Sequence, residues 1–169
     1  MLVLFGIASI VAVAATLFAI TRLNAMHALL YLIVSLLAVA FIFALYGATF
    51  AAVLEVIIYA GAIMVLFVFA VMLLNLDPEL LKKENDWVNP RLWVGPAVLT
   101  AILAGELVYV ITQSQVPTPT LTPASPQSVG IALYGNYLLA VEMASMLLLA
   151  GLVGAYHIGR RNQERDQEE

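Results

Sequence analysis

Five apolar runs, each about as long as a bilayer-crossing helix, leave this chain little choice of fold. They cover residues 2–21, 27–46, 51–75, 92–112 and 137–158. At about 1.5 Å per residue, some 20 such residues cross a hydrocarbon core. The composition agrees: 63% of residues are hydrophobic and only 11% charged, and the mean hydropathy is +1.00, outside the range of ordinary soluble domains. The expectation is an all-α integral membrane protein, with residues 1–169 forming one membrane domain. The first run contains an A-x-A sequence, Ala12-Val13-Ala14, but has no basic residue before it and stays apolar to Ile20, so it reads as a retained span rather than a signal peptide.

The polar stretches between the runs set the connectivity. Arg22 to Met26 and Gly47 to Phe50 are short turns, which implies antiparallel neighbours. Residues 76–91, LDPELLKKENDWVNPR, form a solvated loop with Trp87 at an interface. Residues 113–136 hold Pro117, Pro119, Pro123 and Pro126 and no charge, which suggests a loop of extended character rather than a helix. With five spans, all seven basic residues (Arg22, Lys82, Lys83, Arg91, Arg160, Arg161 and Arg165) fall on one side. The positive-inside rule then places the N-terminus outside and the C-terminus in the cytoplasm. Dropping a later span would scatter these charges across both faces.

The most informative run reads LEVIIYAGAIMVLFVFAVMLLN over residues 54–75. It carries one carboxylate, Glu55, and one phenol, Tyr59, four residues on and on the same helical face, followed by Ala60-Gly61-Ala62. A charged side chain at mid-bilayer costs about 2.5–3.5 kcal/mol even on insertion scales. Keeping a glutamic acid protonated at pH 7 costs about 3.7 kcal/mol, and an unpaired carboxylate in hydrocarbon costs far more. A neutral or partnered Glu55 is therefore favoured, and a group so balanced is suited to carrying a proton. Tyr59 is either an interfacial anchor or the partner of Glu55 in a hydrogen-bonded pair lining a polar path. Gly61 serves either close helix packing or a π-bulge or hinge, which costs least at a residue without a Cβ.

Two further acids fall inside spans, Glu106 and Glu142, and each either snorkels or hydrogen-bonds a neighbouring helix as a packing device, or serves a function. No span contains a basic residue to pair with them, so an ionised acid would need water or another subunit. Ala150, Gly151, Gly154 and Ala155 mark a packing face on the last span, and the first span reads as lipid-facing or packing only. The chain has no cysteine and only two histidines, His27 and His157, near opposite ends. It therefore offers neither thiolate ligands nor a readable metal cluster, and any redox cofactor must sit on another chain.

The stretch 54–75, the preceding HALLYLIVSLLAVAFIFALYGATF and the later YLLAVEMASMLLLAGLVGAYHIGRR resemble the subunit J family of NADH-quinone oxidoreductase. This is the bacterial counterpart of the sixth mitochondrially encoded chain of respiratory complex I. The likeness is specific over 27–75 and 137–161 and extends to layout alone over 76–136. It implies five transmembrane helices in a bacterial inner membrane and a non-redox subunit of the proton-pumping enzyme with no catalytic centre of its own. It also implies a π-bulge around Tyr59 to Val65 whose rotation opens and closes a water wire from the quinone region to antiporter-like subunits. Carried over position by position, Tyr59, Gly61 and Val65 fall on that gate, with Glu55 one turn to its external side; Glu106 and Glu142 are weaker candidates. NAD, FMN, iron-sulfur clusters and quinone are then held by partner subunits. The implied neighbours are the K-type, A-type, H-type and N-type membrane subunits and the lipid bilayer, with no nucleic acid. Two other readings compete: a purely structural membrane-arm subunit, and a small subunit of a multi-chain cation/proton antiporter. The uncharged 113–136 loop is expected to be a surface strap.

Overall fold

Helix α1, Leu2–Thr21, and α2, Ala25–Leu45, form an antiparallel pair. The direction follows from their contacts: Phe5 meets Tyr46 edge-on at 5.5 Å, Thr16 meets Ser35 at 2.7 Å between hydroxyls, and Phe18 meets Tyr31 at 5.3 Å. As one residue number rises the other falls. The turn between them is short because Asn24 caps α2 directly, its side chain accepting from the backbone N–H of Met26 and His27. Small residues on α1, Ala8, Ala12 and Ala15, lie against Val34, Ala38 and Phe41 of α2, so the helices approach closely. The computed structural model describes residues 2–22, 24–73, 90–113 and 124–165.

After α2 the chain reverses at Gly47, whose φ of 79° is the left-handed conformation that glycine adopts without a Cβ clash. The third span, Thr49–Leu73, is one continuous rod of three parts: α3, Thr49–Leu54; a π-helix, Glu55–Ile63; and α4, Met64–Leu73. All three pack on α2. Helix α5, Pro90–Thr112, lies against α1 and α2. Trp93 beside His27, at 6.2 Å between rings, and Leu103 within the cluster of Val34, Ala38 and Phe41 show that α5 runs alongside α2 in the same direction.

The chain divides into two compact units, residues 1–124 and 125–169. The second contains α6, Pro126–Tyr134, packed on α7, Leu138–Arg165. Five helices are long and apolar enough to cross a membrane, with bounds within a few residues of those the sequence suggests. The exception to the expected layout is α6, since residues 126–134 belong to the stretch read as an extended loop. Its physical reason is local. Ser125 is an N-cap whose hydroxyl accepts from the Ser128 N–H at 3.1 Å, and Pro126 occupies the first helical turn, where its missing N–H costs nothing. The loops over 76–89 and 114–123 lie outside the described residues.

Candidate functional site

Nine consecutive residues, Glu55–Ile63, adopt the wider π conformation. A π turn inserts residues into a rod that would otherwise be α-helical, and it usually appears as a single turn at a functional place. Its entry is α-like, with the Glu55 N–H directed to Ala51 O and Ala52 O. Its exit is wide: the Met64 N–H reaches Tyr59 O, five residues back, as well as Gly61 O. Val56, Ile57 and Ile58 crowd the preceding turn of a tight helix, which favours opening. Gly61 supplies the tolerance. A Cβ added there would stand 3.1 Å from the carbonyl oxygen of Val56, five residues earlier, so an alanine would press on the wide turn itself.

The resemblance placed the bulge at Tyr59 to Val65; here the π segment begins four residues earlier and closes at Ile63, with Val65 already in α4. Glu55, Tyr59 and Gly61 thus share the π segment, and Val65 follows it in the same continuous rod. Within this rod the buried positions are Ala52 and Met64. Tyr59 and Val65 are half exposed, at 50% and 51%, and Glu55 is partly covered, so the candidate residues lie apart from the face this chain buries. The Glu55 and Tyr59 side chains make no hydrogen bond to each other; the pair suggested by their spacing is not formed. Beside the rod, an apolar groove of about 480 Å³ opens where it meets α2 and α5, lined by Phe41, Val53, Val56, Ile57, Leu103 and Leu107.

The other two acids are placed differently. Glu106 does not snorkel: it is only 6% exposed, turned inward on α5, and both carboxylate oxygens are buried without a hydrogen-bond partner among the described residues. Nor does it bond a neighbouring helix among the described residues. Glu142 belongs to the second unit, where its backbone carbonyl accepts from the Ser145 hydroxyl at 2.7 Å. Sequence reasoning did not single out His27, which is 6% exposed with both ring nitrogens unpartnered. Its position as the first residue of the apolar run 27–46 was the available signal. Among the described residues no three His, Asp or Glu side chains are grouped to hold a metal.

Residues 15–158 match the family described as NADH-ubiquinone/plastoquinone oxidoreductase chain 6. The chain is 53% identical to NADH-quinone oxidoreductase subunit J of Escherichia coli K12, over 94% of this chain and 86% of that one. It is 52% identical to the subunit of the same name in Pseudomonas aeruginosa, over 95% and 98%, and 45% identical to that of Buchnera aphidicola from Schizaphis graminum, over 94% and 98%.

Proposed function

The chain belongs to the NADH-ubiquinone/plastoquinone oxidoreductase chain 6 family, as a membrane-arm subunit J of NADH-quinone oxidoreductase, respiratory complex I, and we propose that within this complex its π-helix gates a proton path. The observation that carries the reading is the π segment Glu55–Ile63 in the middle of a spanning helix, centred on Tyr59 and followed closely by Gly61.

The mechanism is a change of register. Absorbing one extra residue into a regular α-helix turns everything beyond it by about 100°, one residue's share of a 3.6-residue turn. Met64 would leave its buried position against α2 and a neighbour would take its place. Tyr59 and Val65 would turn with the rod, opening or drying the water path past the phenol. Quinone chemistry elsewhere in the complex biases the two states, and each state must differ in its contacts for that bias to act. The apolar groove beside Val56 and Ile57 supports the reading, because it leaves this stretch of the rod unconfined on that side. Glu55, one turn before Tyr59, is the acid that hands protons to the path.

Having no cysteine, the chain offers no thiolate to hold an iron-sulfur cluster. NAD, FMN, the clusters and quinone are placed on partner subunits, and K-type, A-type, H-type and N-type membrane subunits are its neighbours. Its basic residues face the cytoplasm and its N-terminus the outside of a bacterial inner membrane. The gating reading is tested by Tyr59→Phe and Gly61→Ala in the assembled complex: gating predicts lost proton pumping with assembly retained, whereas a purely structural role predicts failed assembly or no effect.

A further inference from the structure

The least expected group in the first unit is Glu106. Counting from Trp93 at about 1.5 Å per residue, it stands about 20 Å into its span, beyond the middle of a hydrocarbon core about 30 Å thick. Its helix packs on α1 and α2 of this chain, and both its carboxylate oxygens are buried with no hydrogen-bond partner among the described residues. An ionised carboxylate alone in such a place is prohibitively costly, and even a neutral acid with no hydrogen bond is costly. The remaining partner is internal water, which accompanies buried polar groups as part of a structure.

The face of α2 that meets α1 and α5 is unexpectedly polar at its other end. His27, Tyr31 and Ser35 follow one another at four-residue spacing, all buried. Ser35 exchanges a hydrogen bond with Thr16 at 2.7 Å and also donates to Ala12 O at 3.2 Å. The Tyr31 hydroxyl points at Gly95 of α5. His27 has two unpartnered ring nitrogens beside Trp93. Because Trp93 is level with His27, Glu106 is level with Ala40, about 7.5 Å beyond Ser35 along the axis. A hydrogen-bonded route over that axial distance, past Ala38 and Leu103, takes two or three waters at about 2.8 Å spacing.

We propose that Glu106 is an internal proton-binding site of this chain, separate from the π-helix, whose carboxylic acid exchanges its proton through ordered water along the His27–Tyr31–Ser35 face of α2. The acid gives its proton to a water on one side and regains one from the other, with no net change in the group. None of these groups belongs to the π-helix, so loss of the Glu106 site and loss of the π-helix gate are separable outcomes.

The test uses intact complex carrying Glu106→Gln, Glu106→Leu or Glu106→Asp, with assembly followed on native gels. A packing acid is replaced by Leu or Gln at little loss of activity. A proton site is not: proton pumping falls by at least about tenfold in both, the low side of what a positioned acid contributes to proton transfer, while Glu106→Asp retains most of it. Infrared difference spectra add a structural readout. The C=O stretch of a protonated acid is present in wild type, absent in Glu106→Gln, and exchanges with deuterium several-fold more slowly in His27→Leu. Should Glu106→Gln fail to assemble, Glu106→Asp reads the same band through its displaced frequency. Wild-type pumping in Glu106→Leu, or no carboxyl band that responds to substitution at residue 106, overturns the site; unchanged exchange in His27→Leu overturns the route.

Discussion

A methyl group added at Gly95 would collide with the hydroxyl of Tyr31. The Tyr31 ring is 2% exposed and has nowhere to go, with Phe18 at 5.3 Å and the Arg22 guanidinium over its face at 5.4 Å. Gly95→Ala should therefore loosen α5 from α2, by about 1–3 kcal/mol, the usual range for overpacking. The measurement is the thermal stability of the purified complex, and adding Tyr31→Phe should recover part of the loss by removing the colliding oxygen. Thr16→Val, by contrast, removes one interhelical hydrogen bond of a kind worth about 0.6 kcal/mol. It should leave assembly intact, and a double-mutant cycle with Ser35→Ala should return a coupling of that size. Neither dependence can be read from the sequence, because each needs to know which helices pair. Glu106 shows the same limit: its depth follows from counting residues along a span, whereas its inward orientation depends on which face of α5 meets α1 and α2.

At the level of elements, the π-helix makes a sharper demand. Deleting one residue from the bulge, Ala62, should restore a regular helix while keeping α4 in its present orientation, since the residue removed is the surplus one. Met64 would stay buried and the complex should assemble, but the rod would lose its second state. Proton pumping should then fall while native gels show normal complex; unchanged pumping would show that the bulge is passive. The glycine that tolerates this bulge was visible in the sequence, flanked by alanines within an apolar run. Its start at Glu55 was not, because the entry depends on how α3 settles against α2. Helix α6 was missed for a different reason. Four prolines within residues 113–136 argue for extended chain on average, yet one proline directly after a serine cap begins a helix.

For the molecule as a whole, span count and sidedness rest on separate signals, hydropathy and the positions of basic residues. The five apolar helices were legible because length and composition alone define them. Sidedness can be checked directly, since the chain has no cysteine and a single one can be introduced. In membranes oriented with the cytoplasmic face inside, a membrane-impermeant maleimide should label Ser125→Cys and leave Thr21→Cys unlabelled; the reverse pattern would invert the topology. The central claim, that the third span is a gate rather than a strut, is tested most directly by measuring proton pumping alongside NADH-to-quinone turnover in membranes carrying Gly61→Ala and Tyr59→Phe, with assembly confirmed on native gels. A gate predicts assembled complex with pumping or coupled turnover reduced in both variants. Wild-type pumping and turnover in both would contradict it, leaving the π-helix a packing feature and this chain a structural subunit.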